Sequence, residues 1–230
     1  MVWLRFPDEL RMFLAPGRRD GPVPMNHDGT ASLGHLVESA GVPLTEVGAM
    51  VVNGRREPSW YRPSAGDTVD VLPVRRPQRV ESARFVLDVH LGTLARRLRL
   101  LGIDAAYRND RDDDELIAQA NAERRILLTR DRGLLCRRAL SSGAYVRGAR
   151  PDEQLADVLE RFAPPLSPWT RCTACNGLLS PVAKTDVEHL LPGGTRRCYD
   201  TFARCQSCGH LYWRGAHRRH LETIVERARR

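Results

Sequence analysis

Short apolar runs alternate with amphipathic helical patterns through the middle of the chain. Phe85-Val86-Leu87 and Ile126-Leu127-Leu128-Thr129 are continuous, bounded by polar residues, and typical of buried strands. Between them, apolar residues recur at three- and four-residue steps from Leu91 to Leu101, which predicts a helix that ends at Gly102. This alternation predicts a parallel sheet with right-handed crossovers. The same region has a weak strand pattern at Ile103–Tyr107, a strand pattern at Ala144–Val146, and helical patterns at Asp113–Ala122, Leu134–Ala139 and Leu155–Phe162.

The first 79 residues show a different pattern. Val2–Phe6 alternates as a strand does, and the helical pattern at Leu33–Ala40 follows a serine that can cap it. Val51-Val52 runs into Asn53-Gly54, which is a hairpin-turn pair, and Val69–Leu72 predicts a closing strand. Strand, strand, helix, strand, strand is the order of a β-grasp fold.

This first segment resembles the ubiquitin-like sulfur-carrier superfamily in Val52-Asn53-Gly54 and Gly66-Asp67-Thr68-Val69. The carriers end in a free Gly-Gly tail, whereas here the last predicted strand continues into Pro73-Val74-Arg75-Arg76-Pro77. The departure argues against activated-carrier chemistry. The resemblance therefore implies a domain that docks a protein partner or faces RNA.

Breaks in the pattern divide the chain into three predicted domains. A basic linker with prolines ends the first near Arg79, and Ala163-Pro164-Pro165 ends the second. We therefore predict a β-grasp domain at 1–79, an α/β core at 80–163, and a cysteine-containing module with a basic carboxy-terminal helix at 164–230.

Composition favours a polyanionic partner. The net charge is +8 and the sequence pI is near 9.7, which suits RNA, DNA or another anionic surface. Lys184 is the only lysine; genome composition is an equally good reason for the arginine bias, but it does not make the net charge positive. The sequence shows no apolar stretch of about 18 residues and no secretory signal pattern. We expect a cytoplasmic protein without a membrane partner.

Acidic residues follow both apolar runs. Asp88 ends the first run, Asp131 follows the second, and Asp112-Asp113-Asp114-Glu115 lies between them. Residues beyond the carboxyl ends of parallel strands line the ligand crevice of an open α/β sheet. Carboxylates gathered there repel one another unless a cation such as Mg²⁺ is bound. Singly, each has a plainer interpretation: a turn residue for Asp88, and helix N-caps for Asp131 and Asp112.

These residues also carry a family resemblance. The string from Phe85 to Asp88, the helix Leu91–Gly102, Asp113-Asp114-Glu115-Leu116 and the run Ile126–Asp131 together resemble the Mut-seven C-terminal ribonuclease domain, a branch of the PIN-like nucleases. The resemblance implies a PIN-like fold and RNA hydrolysis dependent on Mg²⁺ or Mn²⁺. The positions that match the family's acidic residues best are Asp88, Asp113 and Asp131, with Asp112 and Asp114 as further catalytic candidates. At a position where the family often has another aspartate, this chain has Ala149. The resemblance therefore leaves open whether the site binds one metal ion or two.

Arginines near the acidic residues are candidate phosphate ligands. Arg96 and Arg99 lie on the first core helix, and Arg130 lies between the second strand and Asp131. A guanidinium group can bind phosphate through two parallel hydrogen bonds. A solvated helix face is an equally good interpretation of Arg96 and Arg99.

Four cysteines form two C-x-x-C pairs, Cys172 with Cys175 and Cys205 with Cys208. Paired knuckles of this kind predict a tetrahedral, structural Zn²⁺ site in a zinc ribbon. The long spacing between the pairs predicts an inserted loop. Cys198 is a possible substitute ligand, and Cys136 is predicted to be a helical core residue.

An aromatic and basic string follows the second knuckle and matches the family. Trp213 is a candidate for stacking on an unpaired RNA base, and Arg214 and His217 are candidate RNA contacts. Packing of Trp213 beneath the zinc knuckle is the favoured alternative.

The resulting hypothesis is an α/β protein with a PIN-like parallel-sheet core, preceded by a β-grasp domain and followed by a zinc ribbon. We expect it to hydrolyse RNA with Mg²⁺ or Mn²⁺, using structural Zn²⁺. An RNA-binding or adaptor protein with an inactive site is the alternative from another class. A toxin-like nuclease acting on tRNA differs from the main hypothesis only in its substrate.

Overall fold

The computed structural model describes residues 1–213 and 218–228, with only the backbone of 218–220. Its amino-terminal segment is a β-grasp domain, as the sequence predicts. The elements are β1 (Val2–Arg5), α1 (Asp8–Arg11), β2 (Val23–Met25), α2 (Leu33–Ser39), β3 (Val47–Val52), β4 (Arg55–Glu57) and β5 (Thr68–Pro73). The sheet order is β2-β1-β5-β3-β4, in which β1 and β5 are parallel and the other neighbours are antiparallel.

Alternation along the strands forms the core of this domain. Val2 and Leu4 of β1 and Val69 and Val71 of β5 are fully buried, as is Leu33 of α2. The Ser32 hydroxyl accepts a hydrogen bond from the backbone N–H of His35 at 3.3 Å and so caps α2. The sequence pattern therefore located β1, α2, the β3–β4 hairpin and β5, but not α1 or β2.

The chain leaves β5 along a fixed path rather than as a free tail. The backbone N–H of Val74 donates to the carbonyl of Glu46 at 3.0 Å. Gly48 allows the close approach, since a Cβ there would lie 2.5 Å from the carbonyl oxygen of Pro73. This arrangement agrees with the expected departure from the carrier proteins.

The middle of the chain alternates strands and helices. In order they are β6 (Phe85–Leu87), α3 (Gly92–Leu100), β7 (Ala105–Tyr107), α4 (Asp113–Ala122), β8 (Ile126–Thr129), α5 (Arg132–Leu135), β9 (Gly143–Tyr145) and α6 (Pro151–Phe162). Strand β6 pairs in parallel with β7, and β8 pairs in parallel with β9. All residues of β6 and β8 are buried. The expected parallel-sheet core is confirmed.

One helix differs from its prediction. The pattern at Leu134–Ala139 predicts a helix there, but α5 begins at Arg132 and ends at Leu135. The Asp131 side chain accepts hydrogen bonds from the backbone N–H groups of Gly133 and Leu134, which starts the helix earlier. Residues 137–140 then form a turn. Cys136 is accordingly the partly buried residue that ends a short helix, rather than a core residue inside a longer one.

The carboxy-terminal segment is an antiparallel ribbon with short helices inserted in it. Its elements are β10 (Leu179–Val182), α7 (Lys184–Val187), α8 (Gly193–Cys198), β11 (Phe202–Cys205), β12 (Leu211–Trp213) and α9 (Arg218–Ala228). The sheet order is β10-β11-β12. Helices α7 and α8 make up the predicted insertion. Among the described residues, no helix combines the length and the apolar character required to cross a bilayer.

The chain is divided into two compact units. The first comprises Met1–Arg79 with Asp113–Val146, and the second comprises Val80–Asp112 with the described part of 147–230. Each unit therefore contains one terminal module and one portion of the α/β core. The two predicted boundaries between the three domains stay a prediction.

In the first unit, the β-grasp domain packs against β9. The buried Glu46 carboxylate accepts a hydrogen bond from the backbone N–H of Tyr145 at 2.8 Å. The ring of Tyr145 meets the edge of the Phe13 ring, with centroids 5.1 Å apart. Arg132 Nη1 donates to the Phe13 carbonyl at 2.7 Å. The β-grasp domain thus supports β9 and the first residue of α5, the helix that follows Asp131.

Candidate active site and zinc centre

Asp88 lies directly after β6, at the carboxyl end of a buried parallel strand. Only 6% of its surface is exposed. Its carbonyl accepts a hydrogen bond from the backbone N–H of Leu91 at 2.9 Å, but its side chain does not cap the turn at Val89–Leu91. The Asp88 carboxylate therefore does not serve as the cap of this turn.

Asp131 follows β8 and serves as the N-cap of α5. Its Oδ1 accepts from Gly133 N–H at 2.7 Å and from Leu134 N–H at 3.3 Å. Its own backbone N–H donates to the buried hydroxyl of Thr129 at 2.9 Å. The local interpretation of Asp131 as an N-cap is therefore correct. Capping does not exclude metal binding, because a carboxylate has a second oxygen.

The acidic cluster lies at the start of α4 and is exposed to solvent. Asp113 is the first residue of the helix, and Asp114 forms an ion pair with Arg137. Asp112 immediately precedes them. In the described part of the first unit, Asp113, Asp114 and Asp131 do not form a group of donors close enough to be counted as a metal site. Convergence of the predicted catalytic aspartates on one metal stays a prediction.

The predicted RNA-binding arginines differ in exposure. Arg96 and Arg130 are exposed, and both therefore remain candidates for phosphate contacts. Arg97, next to Arg96, forms an ion pair with Asp152 at 2.5 Å. The arginines of α3 therefore do not make one uniform basic face.

Arg99 requires a correction. Only 2% of its surface is exposed, so it is not available to RNA in this structure. Its guanidinium donates to three backbone carbonyls, those of Ala105 at 2.8 Å, Thr173 at 3.1 Å and Ala174 at 2.7 Å. Burial lowers the pKa of Arg99 from its ordinary value. We therefore exclude it from the RNA contacts and regard it as a buried structural cation.

The position of Arg99 was visible in the sequence but was misinterpreted. It lies four residues after Ala95, so it continues the buried stripe of α3. A long cationic side chain on an apolar stripe indicates a polar partner in the interior, because an unpaired buried charge is costly. The sequence did not reveal that the partners would be carbonyls about 75 residues away.

Four thiol groups come together where the two C-x-x-C pairs meet. The Sγ atoms of Cys172, Cys175, Cys205 and Cys208 all lie within 4.8 Å of one another. Cys172 and Cys208 are 3.7 Å apart, and Cys175 and Cys205 are 3.4 Å apart. Sulfur atoms about 2.3 Å from a tetrahedral zinc would be separated by about 3.8 Å. The donor set and the spacing therefore fit zinc. Cys198 is exposed in α8 and lies outside this cluster.

Neighbouring groups alter the acidity of the cluster. Burial alone would raise the pKa of Cys205, but hydrogen bonds from the backbone N–H groups of Cys208 and Ser207 lower it to about 6. Burial, together with the hydrogen bond to Cys172, raises the pKa of Tyr212 to about 12. Tyr212 thus remains a phenol that can donate to sulfur, and its Oη lies 3.1 Å from the Cys172 Sγ.

Asn176 joins the first knuckle to the α/β core and was missed in the sequence. Its side-chain oxygen accepts from the backbone N–H of Ala105 at 3.1 Å, and its Nδ2 donates to Asp104 at 2.8 Å. Its φ of 74° lies in the left-handed region, which asparagine tolerates better than most residues. An asparagine directly after Cys175 was the available signal.

The aromatic and basic string is only partly described. Trp213 ends β12 and is 38% exposed. Arg214 and His217, the other two candidate RNA contacts, lie outside the described residues. Their predicted role stays a prediction.

Comparison with known families identifies the family to which the chain belongs. Residues 83–225 match the family described as Mut7-C RNAse domain, which is more than half of the chain. The chain belongs to the Mut7-C RNAse domain family. Residues 1–79 match the family described as Mut7-C ubiquitin, which agrees with the β-grasp fold. No curated protein and no solved structure matched the chain.

Membership confirms the family resemblance noted in the sequence. A Mut7-C RNAse domain indicates a nuclease or RNA-related function, and RNA is the partner that it suggests. The four-cysteine cluster of this Mut7-C protein can hold zinc.

Proposed function

We propose that this protein is a ribonuclease that hydrolyses RNA phosphodiester bonds with Mg²⁺ or Mn²⁺ held by aspartates. The match of residues 83–225 to the Mut7-C RNAse domain carries the proposal. The position of Asp88, buried at the carboxyl end of a parallel strand, supports it. An aspartate is seldom found in the interior without a specific role.

Asp88, Asp113 and Asp131 are the proposed metal ligands. Carboxylate oxygens are the ligands that Mg²⁺ prefers, so the donor type fits the metal. Asp112 and Asp114 are the reserve candidates, and the ion pair with Arg137 makes Asp114 less available. When bound, the metal would make water a better nucleophile and stabilise the leaving oxygen.

The remaining roles belong to the chain's basic groups. Arg96 and Arg130 would bind phosphate oxygens and hold the RNA backbone near the aspartates. Water adds to phosphorus, the bond to the leaving ribose oxygen breaks, and that oxygen takes a proton. The products would be a phosphate monoester and a free hydroxyl group.

The decisive experiment removes a charge without removing a cap. Asparagine caps helices as well as aspartate does, so Asp131→Asn should leave α5 intact. If Asp131 binds metal, RNA cleavage with Mg²⁺ or Mn²⁺ should fall by at least about 100-fold, while RNA binding is kept or tightened. Asp88→Asn should behave in the same way. Asp8→Asn, on the exposed surface of the β-grasp domain, is the matched control.

Cleavage should be measured on labelled single-stranded RNA and on tRNA, in buffers with and without added Mg²⁺ or Mn²⁺. Metal is best omitted rather than chelated, because a chelator would also remove zinc. Binding without cleavage by the parent protein under all conditions would favour an RNA-binding or adaptor protein. Full activity of both Asp131→Asn and Asp88→Asn would refute the proposed catalytic site.

A further inference from the structure

A cavity of about 480 Å³ lies beside the zinc centre, within the second unit. Its size falls within the range of roughly 300–1,000 Å³ that is typical of small-molecule sites. Leu100, Leu179 and Pro181 supply apolar wall, and Thr170 and Thr173 add hydroxyl-bearing residues. An apolar surface with a few polar groups suits a flat heterocycle, which has apolar faces and polar edges.

Two tryptophans with partly exposed side chains line this cavity. Trp169 is 45% exposed and Trp213 is 38% exposed, and both line the same space. Trp3 and Trp60 are exposed as well, so the feature that favours a binding surface is the shared cavity of Trp169 and Trp213. Nucleobases stack on aromatic rings of this kind.

The backbone of Trp169 is held in an unfavourable conformation. Its φ is 68°, in the left-handed region that a bulky residue rarely adopts. Hydrogen bonds fix it there: Trp169 N–H donates to the Leu100 carbonyl at 3.0 Å, and Ser167 N–H donates to the Leu101 carbonyl at 2.9 Å. Strain of this kind concentrates at functional sites, where the surrounding structure enforces it.

One residue of the cavity wall contacts the zinc cluster. Tyr212 lines the cavity, and its hydroxyl lies 3.1 Å from the Cys172 Sγ and 3.3 Å from the Thr173 hydroxyl. A bound zinc would therefore make this wall rigid. A rigid aromatic wall loses little conformational entropy when a ligand binds.

Charge identifies the class of ligand. Residues 164–230 contain eleven basic and five acidic residues, so this segment accounts for +6 of the total charge of +8. Four zinc-bound thiolates would reduce that surplus by two charges, and it would still be positive. Arg196, Arg197 and Arg204 of this segment are exposed. An anionic chain that carries flat aromatic groups meets both requirements.

We propose that this cavity, the tryptophan pocket, binds an unpaired nucleobase of single-stranded RNA. Trp169 and Trp213 provide stacking surfaces, and exposed arginines of residues 164–230 bind phosphates of the same strand. The choice of RNA as ligand rests on the proposed function. The tryptophan pocket would hold the substrate strand through its bases, apart from the aspartates that act on its phosphates.

The test compares RNA with and without bases. An oligouridylate and an abasic oligomer of equal length carry the same phosphates, so their affinity ratio measures base recognition. Both are titrated against the full chain by fluorescence anisotropy, without added Mg²⁺ and without chelator. The parent protein should prefer the oligouridylate by roughly 5- to 150-fold, which corresponds to stacking of one base.

Variants then locate that preference. Trp213→Ala and Trp169→Gly should each remove most of it and leave abasic binding unchanged. Glycine accepts a positive φ without strain, so Trp169→Gly should keep the fold. Trp60→Ala is the matched control, because Trp60 is 76% exposed and lies in the β-grasp domain. It should leave both affinities unchanged.

A second measurement covers the case in which a variant fails to fold. With Trp3 and Trp60 replaced by Phe, the remaining tryptophan fluorescence comes from Trp169 and Trp213. The oligouridylate should quench it, and the abasic oligomer should not. Unchanged base preference in folded Trp169→Gly and Trp213→Ala, as expected of a pocket for an apolar peptide, would overturn the proposal. So would absence of quenching.

These outcomes are independent of cleavage. If the protein prefers RNA with bases through its tryptophans but cleaves no RNA, the proposed pocket is supported and the proposed nuclease activity is refuted. Cleavage lost in Asp131→Asn, with base preference unaffected by the tryptophans, would do the reverse.

Discussion

The two compact units attach their terminal modules to the core with buried charges of opposite sign. In the first unit, the Glu46 carboxylate, 3% exposed, accepts a hydrogen bond from the backbone of β9. In the second, the Arg99 guanidinium donates to three carbonyls, two of which lie in the first zinc knuckle. Each charge forms hydrogen bonds with backbone groups of another element, the N–H of Tyr145 for Glu46 and three carbonyls for Arg99.

The difference follows from what each charge must support. The β-grasp domain has its own apolar core, so Glu46 adds one contact to a domain that is already folded. The zinc knuckle has little apolar core, and four thiolates with Zn²⁺ would carry a net charge of −2. A buried cation beside such a site is favourable. The second attachment should therefore depend on metal, and the first should not.

Removal of the zinc ligands should have the largest effect. Cys172→Ser combined with Cys205→Ser should abolish zinc binding, measured as a fall from one zinc per chain to none. Because structural zinc contributes about 10–16 kcal/mol in small modules, the ribbon should unfold. Hydrogen exchange should lose protection in β10–β12 and keep it in β1–β5. A protected ribbon in this variant, or freshly purified parent protein without zinc, would contradict the expectation.

Acidification should act on the same site. Without bound metal the pKa of Cys205 is lowered to about 6, so stabilisation of the zinc-free ribbon by its thiolate declines as pH falls from about 9 and is lost as pH passes below about 6. Zinc release should follow the same direction, since protonated thiols do not bind the metal.

Loss of Arg99 should come next. Arg99→Ala removes the donor from the buried carbonyl of Ala105 and from the partly buried carbonyls of Thr173 and Ala174. A buried group left without its donor costs about 1–3 kcal/mol, and a partly buried one costs less because water can replace the donor. We expect a loss of about 2–4 kcal/mol in the free energy of unfolding, together with faster zinc release to a chelator. Arg96→Ala, three residues earlier on the exposed side of α3, should change stability by less than about 0.5 kcal/mol. Equal losses of stability in Arg99→Ala and Arg96→Ala would show that the buried guanidinium does not stabilise the fold more than an exposed one.

Loss of Glu46 should be the smallest of these effects. Glu46→Ala leaves the Tyr145 N–H unpaired, at a cost of about 1–3 kcal/mol. Glu46→Gln keeps an acceptor oxygen and should cost less. Neither change should alter the rate of zinc release, which can be followed in the same chelator assay. If Glu46→Ala accelerated zinc release, the expectation that only the attachment in the second unit depends on metal would be wrong.

The fold was predictable where a local pattern determines it. Phe85–Leu87 and Ile126–Thr129 are strands because their residues are apolar without interruption, and the structure buries them completely. The zinc cluster was equally predictable, because a C-x-x-C knuckle is a local feature that places two sulfurs on one side. The Mut7-C resemblance came from motifs of the same local kind.

The site was less predictable where the partners are distant in sequence. Arg99 was expected to bind phosphate because it was assigned with Arg96 to the polar side of the helix, but two of its three partners lie at Thr173 and Ala174. Glu46 gave no signal, because its hydrogen bond to Tyr145 spans 99 residues. Trp169 gave no signal in the sequence, because its positive φ is enforced by hydrogen bonds to α3 and not by the residues next to it.

Gly102 constrains which parts of the chain can be exchanged separately in evolution. A Cβ at Gly102 would lie 2.0 Å from the carbonyl oxygen of Ser167, so the segment leading to the zinc ribbon rests on bare backbone at the end of α3. If the ribbon were transferred to another domain, the helix that it packs against there would also have to end in glycine. The ribbon and the first half of the nuclease domain should therefore be gained or lost together in evolution, whereas their surface loops remain free to diverge.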